Sequence, residues 1–357
     1  MKKTDSSFSC ARCKDAACMG SGERARCEKH FKEEFGREVR RTVREFGMIG
    51  AGERVAVALS GGKDSVVLLH QLAELKKKLP MELLAILVDE GIAGYRAPTI
   101  KVAKRECRKL GVKLHIVSFK SEIGSSLDAV LKKRPARRHG RGAGGHASPL
   151  GACSFCGVFR RLLLNKAARR LGADKLALGH NLDDAAQTVL LNLYRNEPAR
   201  LARFWPVSVE SGEGGPARAP GAASAARKPG ASPPDFIPRI RPLIRIPERE
   251  VALLAELEGY GICHRSCPYA HEAMRQTVRA QLNEMEDRYP GTKKRIFNSW
   301  MAMGPAMKKM DEETEAGPNG KKKQTPMGRC SSCGEPSSKE ECAACRMRRQ
   351  FYKHPGR

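Results

Sequence analysis

Ser60-Gly61-Gly62-Lys63-Asp64-Ser65 combines two glycines, a cation and two hydroxyls directly after the apolar run Val55-Ala56-Val57-Ala58-Leu59. Glycines let a backbone turn tightly and approach an oxyanion. Val66, Val67, Leu68 and Leu69 then open a helix whose N-terminus offers unpaired N–H groups and a positive dipole end. A strand, a glycine loop and a helix in that order make a phosphate-binding site, to which Ser60, Lys63 and Ser65 add side-chain donors. The spacing is not that of a Walker A loop, which places four residues between its first glycine and Gly-Lys-Ser/Thr. A plain glycine turn is the bland alternative, and the complete hexapeptide in this setting argues against it.

Thirteen cysteines supply a second kind of chemistry. Cys10/Cys13, Cys153/Cys156, Cys330/Cys333 and Cys342/Cys345 are spaced Cys-x2-Cys, where random scattering would give about half of one such pair. Two thiolates so spaced meet one ion from a single turn, so metal rather than disulfide is expected. Cys10, Cys13, Cys27 and His30 suit one tetrahedral zinc, with Cys18 left over, and Cys330, Cys333, Cys342 and Cys345 suit a second in a zinc ribbon. Cys107, among Val102, Ala103 and Leu110, reads as a buried thiol that behaves as a small hydrophobe. Cys153 and Cys156 stand at the start of a helix running from Val158 to Leu171. The helix dipole, Arg160 and Arg161 should favour thiolate there.

The elements that must position these groups alternate as strands and helices. Strands are expected at Val55–Leu59, Leu83–Val88, Lys113–Val117 and Lys175–Leu178, with helices through Leu75, from Ala97 to Leu110 and through Leu193. The fold class is α/β, a doubly wound parallel sheet with small N- and C-terminal zinc modules. Ligands on such sheets sit at the carboxyl ends of strands, where the glycine loop and Asp89-Glu90-Gly91-Ile92 both fall, so adenosine is expected between them. Residues 1–35 form the N-terminal knuckle, 36–310 the main domain and 326–357 the ribbon. A basic helix from Glu38 to Phe46 leads into the main domain, and a helical region from about Glu272 to Met310 closes it. Residues 132–145 carry six Lys/Arg with glycine and proline and read as a basic RNA-contacting loop. Residues 210–234 read as a low-complexity disordered insertion, and 311–328 as a polar linker.

The formal net charge of +27 asks for a polyanionic partner. Nucleic acid fits better than membrane, because no apolar run approaches the roughly 18 residues of a spanning helix and the N-terminus lacks a signal-peptide core. A cytoplasmic location follows from these features and from the cysteine usage.

The glycine loop, CSFCGVFRR, LGHNLDDAAQT, SCPYA and the paired zinc motifs together resemble the PP-loop ATP pyrophosphatase family. Within it they look like the tRNA 2-thiouridine synthetases of the TtuA and cytosolic thiouridylase type, over most of the chain. The resemblance implies ATP cleavage between the α and β phosphates with Mg, held by Ser60, Gly61, Gly62, Lys63, Asp64, Ser65, Asp89, Gly91, Gly179 and His180. It implies a 4Fe-4S cluster on Cys153, Cys156 and Cys267, whose open iron could carry sulfide to an adenylated uridine; Cys263 has no counterpart. A persulfide on the same cysteines is the competing route. Asp184 would hold Mg or orient substrate, and Arg160 would stabilise phosphate charge; helix capping and a solvated basic face are their structural alternatives. Relatives commonly carry Glu at the place of Ala185, and some carry Lys at that of Arg160. The implied partners are tRNA, a ubiquitin-like sulfur carrier or free sulfide, and a second copy in a homodimer. Competing functions are another PP-loop tRNA enzyme, for cytidine thiolation or lysidine-type ligation, or a zinc-dependent RNA-binding factor without catalysis.

Overall fold

The apolar run before the glycine loop is β1 (Arg54–Ala58), an inner strand of a six-stranded sheet in the computed structural model. The structure describes residues 8–132, 151–208, 234–270, 274–315, 328–337 and 339–352. Parallel partners flank β1 on both sides, which is why its sequence is continuously apolar. β2 (Glu82–Asp89) pairs through Val57↔Ala85, and β4 (Lys175–Ala177) through Val57↔Ala177. β3 (Lys113–Ser118) lies parallel outside β2, and β6 (Arg239–Ile240) parallel outside β4. β5 (Val207–Ser208) closes that edge antiparallel. The order β3-β2-β1-β4-β6-β5 is the expected doubly wound sheet with an antiparallel edge that carries no sequence signal of its own.

Side-chain alternation along the strands builds two cores. Val55, Val57, Leu83, Ala85 and Leu87 face one layer with α1 (Glu28–Glu45), α2 (Lys63–Lys76), α3 (Arg96–Lys109) and α9 (Glu248–Leu257). Ala56, Leu84, Ile86 and Val88 face the other, with α4 (Phe119–Ile123), α5 (Leu127–Lys132), α6 (Ala152–Arg170) and α12 (Ala343–Tyr352). A third cluster, around Leu182, Val189, Leu201, Phe297 and Trp300, joins α7 (Leu182–Tyr194), α8 (Pro198–Ala202) and α11 (Thr292–Glu315). α10 (Met274–Arg288) packs on α7 through Val278 and Leu282.

The expected basic helix at Glu38 is longer than its sequence suggested. α1 begins at Glu28, so the segment carrying Cys27 and His30 runs without a break past residue 35 into the main core. Phe31, Phe35, Val39 and Val43, each four residues from the next, bury one stripe of it. Beyond α11, β7 (Gly328–Arg329) and β8 (Pro336–Ser337) form a short hairpin. The basic loop beyond Lys132, the insertion up to residue 233 and most of the 311–328 linker lie outside the described residues.

Candidate functional site

The chain winds outward from β1 through β2 to β3, then crosses back to β4 and proceeds the other way. The exits of β1 and β4 therefore flank the switch point, the crevice where open α/β sheets take ligands. Ser60–Ser65 leaves β1, and Gly179–Asp184 leaves β4. The two approach so closely that a Cβ on Gly179 would stand 3.0 Å from the Asp64 carbonyl carbon and the Ser65 nitrogen. Gly61 turns with φ +83°, and a Cβ there would meet the Thr99 carbonyl oxygen at 2.4 Å, so this position admits only glycine. Ser65 holds the loop's shape: its hydroxyl donates to Gly62 O (2.9 Å) and accepts from the Ser60 N–H (3.1 Å). Asp89 and Gly91 lie at the exit of β2, where the Gly91 N–H donates to Asp89 Oδ1 at 2.9 Å.

A cavity of 170 Å³ opens beside the loop, lined among others by Lys63, Asp64, Asp184, Glu248, Arg275 and Arg279. Lys63 Nζ donates to Asp64 Oδ2 (3.0 Å) and Glu248 Oε1 (2.6 Å). Burial opposes its charge, but Asp64 and Glu248 outweigh burial and hold its pKa above the usual lysine value. Asn181, N-cap of α7, accepts from the Asp184 N–H (3.0 Å) and donates through Nδ2 to Asp64 Oδ1 (2.9 Å). Asp184 completes the capping box and also lines the cavity. Burial, with Asp64 and Glu248 nearby, raises its pKa to about 6 against the pull of Arg275, 3.5 Å away. Its neighbour Asp183 is structural, bound to Lys293 and to the Glu248 N–H. Desolvation and then Arg241, Arg275, Arg160 and Arg239 push the His180 pKa well below the imidazole range. Since His180 as a whole is exposed, the cations are the firmer cause. Its Nδ1 accepts from Arg241 Nε at 3.3 Å.

The cysteine pair sits inside α6 rather than before it, because the helix starts at Ala152. Cys153 Sγ donates to Tyr269 O at 3.5 Å, which places the segment holding Cys267 against α6. That segment also docks on the glycine loop, where the Cys263 N–H donates to Gly61 O at 3.2 Å. Tyr269 Oη donates to Asp128 Oδ1 at 2.8 Å, pinning its far end. Contrary to the expectation of a favoured thiolate, Cys156 is pushed up to about 11. Burial dominates, and the Glu90 carboxylate, 4.0 Å from the sulfur, adds to it against Arg160 and Arg96. Arg160, half-exposed, reaches Glu90 Oε1 at 3.9 Å and no other acid among the described residues within salt-bridge range. Glu90 is itself bound to buried Arg96, which donates to Ser60 O at 3.1 Å. Glu248, Arg275, Arg279 and the Glu90–Arg96 pair escaped the sequence reading. Only the four-residue spacing of Arg275 and Arg279 could have marked a shared helix face.

Two other sets of side chains converge within 4.8 Å as metal ligands would: Cys10, Cys13, Cys27 and His30, and Cys330, Cys333, Cys342 and Cys345. Tetrahedral zinc bonds of about 2.3 Å to sulfur and about 2.05 Å to nitrogen imply S···S of about 3.8 Å and S···N of about 3.6 Å. Cys13–Cys27 measures 3.6 Å, Cys333–Cys342 3.8 Å, and the Cys10, Cys13 and Cys27 sulfurs lie 3.3, 3.4 and 3.3 Å from His30 Nδ1. Cys153, Cys156 and Cys267 form no such tight set among the described residues.

A glycine loop at the switch point of a doubly wound sheet defines a PP-loop nucleotide-binding domain, and residues 31–141 match the PP-loop domain family. Over 321 residues the chain is 33% identical to the tRNA-5-methyluridine(54) 2-sulfurtransferase of Pyrococcus horikoshii, covering 90% of this chain and 86% of that one. It is 32% identical over 328 residues to the tRNA 2-thiolation protein NcsA of Haloferax volcanii, covering 90% and 91%. The solved structure of the U34-tRNA thiolase NcsA from Methanococcus maripaludis with its 4Fe-4S cluster matches with a TM-score of 0.70 at 30% identity, over 98% and 97% of the two chains. The chain belongs to the PP-loop family of tRNA 2-thiolation proteins.

Proposed function

We propose that this chain catalyses ATP-dependent 2-thiolation of a tRNA uridine. Uracil O2 attacks the α phosphate of ATP and pyrophosphate leaves; a sulfur nucleophile then adds at C2 and the C2–O2 bond breaks as AMP departs. The observation that carries this reading is the double docking of residues 263–269. The segment is bonded to the phosphate loop at Gly61 and to α6 at Cys153, so thiols and a phosphate site share one end of the sheet.

The N–H groups opening α2, with Lys63, would bind phosphate oxygens, and adenosine would lie toward Asp89 and Gly91 at the exit of β2. Asp64, Asp184 and Glu248 line one cavity in which burial first, and then the neighbouring carboxylates, raise the Asp184 pKa; this hard-oxygen setting fits Mg, with Asp64 and Asp184 as its ligands. Cys153, Cys156 and Cys267 are all thiols, the donor type that holds iron–sulfur clusters. A 4Fe-4S cluster held by them would supply an iron position able to take up sulfur. Arg160, on the same helix as the cysteine pair, would stabilise phosphate charge. Each terminal four-ligand set would hold one zinc. With these modules at residues 1–35 and 326–357 about a 36–310 catalytic body, the +27 chain would grip tRNA through its backbone. A ubiquitin-like sulfur carrier and a homodimer follow from the family resemblance. A cytoplasmic location is supported by a relative at 33% identity named Cytoplasmic tRNA 2-thiolation protein 1. No helix among the described residues is long and apolar enough to cross a membrane.

Anoxic, iron–sulfur-reconstituted protein given tRNA, ATP and sulfide should form AMP, pyrophosphate and 2-thiouridine, read and positioned by nucleoside mass spectrometry. Absence of ATP turnover in iron- and zinc-replete protein refutes the reading. Cys267→Ala should lose most iron while keeping zinc, and an active, iron-free enzyme would instead support the persulfide route.

A further inference from the structure

Arg275 and Arg279 stand four residues apart on α10, so their guanidiniums share one helix face, and that face lines the cavity beside the glycine loop. Like charges at this spacing repel, and the structure shows what holds them. Glu248, in the first turn of α9, accepts from Lys63 Nζ at 2.6 Å and through both oxygens from Arg279 Nη2 at 2.8 and 2.9 Å. Arg275 lies 3.5 Å from Asp184 Oδ1 and donates to Gln187 Oε1 (3.3 Å) and Thr188 Oγ1 (3.1 Å). One carboxylate thus bridges the loop's own cation and a helix arginine across 170 Å³. At about 30 Å³ per water that space takes about six waters, the scale of a diphosphate.

We propose that Lys63, Arg275 and Arg279 form a clamp for the pyrophosphate leaving ATP, and that Glu248 is the exchangeable counter-ion that keeps the clamp assembled until phosphate displaces it. The inference rests on the adenylation reading and adds a second wall to the phosphate site. When the bond between the α phosphorus and its bridging oxygen breaks, the electron pair stays on that oxygen. Guanidinium N–H groups donate to the developing charge without giving up a proton. Displacing Glu248 also moves the load on α10 from a protein carboxylate to the nucleotide, so occupancy of the loop is felt by the helix that follows the Cys267 segment.

Calorimetry of the full zinc-loaded chain at fixed Mg, with inorganic pyrophosphate and separately with AMP, tests the clamp without relying on turnover. Arg279→Ala should weaken pyrophosphate about 10- to 100-fold, the loss of charge-assisted hydrogen bonds, and leave AMP within about twofold. Arg279→Lys should fall between, keeping charge but not the fork. Glu248→Gln should change pyrophosphate affinity the opposite way, strengthening it severalfold by removing the competing anion, an effect that damage to the fold does not produce. Wild-type pyrophosphate affinity in Arg279→Ala overturns the clamp alone. Weaker binding in Glu248→Gln overturns the counter-ion. A wild-type chain that binds neither AMP nor pyrophosphate overturns the nucleotide reading together with the clamp.

Discussion

Arg96→Met should be among the most damaging single changes outside the glycine loop. Arg96 and Glu90 are 5% and 1% exposed and paired with each other. Arg96 also donates to Ser60 O at 3.1 Å and to Thr99 Oγ1 at 3.3 Å. Removing one partner of a buried pair strands the other charge, at about 3–5 kcal/mol. Arg160 offers partial relief from 3.9 Å, but it is half-exposed and poorly aligned, so its compensation is about 1 kcal/mol. The net expectation is about 2–4 kcal/mol. With a urea slope of about 2–3 kcal/mol/M, that lowers the midpoint by about 1–2 M. Glu90→Leu combined with Arg96→Met removes both charges and should recover most of the loss, to within about 1.5 kcal/mol of wild type. Urea titrations followed by the fluorescence of Trp205 and Trp300, with zinc held saturating, measure all four corners of the cycle. A loss under about 1 kcal/mol in Arg96→Met, or a double variant as unstable as the single, refutes the claim that this pair is a buried, mutually dependent unit. Even if stability recovers in the double variant, ATP affinity should not, because the Ser60 carbonyl has still lost its guanidinium.

Three further outcomes are expected. Gly61→Ala adds a strained left-handed alanine, costing roughly 1–2 kcal/mol, to a 2.4 Å backbone collision, so ATP binding should weaken more than tenfold by calorimetry while zinc content stays at wild type. His70 stacks on Tyr260 at 3.8 Å, and burial lowers its pKa despite the Glu106 carboxylate. The unfolded chain thus takes up its proton first, and the stability tied to neutral His70 is full above about pH 6.5 and lost as pH falls toward its lower folded value. Denaturant titrations at pH 7.5 and 5.5 should show this loss shrinking in His70→Gln, and an unchanged difference counts against it. Metal analysis of wild type should find about two zinc per chain, and His30→Ala should lose about one, freeing the start of α1 to exchange amide hydrogens faster; an unchanged zinc content in that variant removes His30 as a ligand.

What the sequence made legible was local. β1, the glycine loop and α2 follow from a short apolar run, two adjacent glycines and a helical pattern, and the observed bounds, Arg54–Ala58 and Lys63–Lys76, lie within about three residues of that reading. The terminal ligand sets likewise come from spacings of a few residues. What escaped depends on pairing across long stretches of chain. Glu248 meets Lys63 across 185 residues, and nothing near Glu248 marks it apart from Glu250 in the same first turn of α9. Glu90 looked like a strand end, yet Arg96 turns it inward, where it opposes the Cys156 thiolate that the helix N-terminus alone would favour. Asp183 and Asp184 are adjacent and alike in sequence, but the helix turn sends one to Lys293 and the other into the cavity.

These long-range pairings explain why one loop can serve a sulfur chemistry. A loop and a helix N-terminus fix phosphates and nothing more; the acceptor and the nucleophile must be brought from elsewhere. Here residues 263–269 and α10, both after α9, close on the loop's end of the sheet. Residues 263–269 hang from Gly61 at one end and reach α6 at the other, and α10 follows, its Arg279 sharing Glu248 with Lys63 and its Arg275 beside Asp184. Glu90 and Arg96 close the circuit from beneath, linking Cys156 to the Ser60 carbonyl through side chains alone. A displacement of the loop by nucleotide would bear on the Cys267 segment through Gly61, on Glu90 through Arg96 at Ser60, and on α10 through Glu248 at Lys63. Coupling of this kind would let adenylation and sulfur delivery stay in register, because Ser60 and Gly61 belong to the phosphate loop and also carry the contacts toward Cys156 and the Cys267 segment.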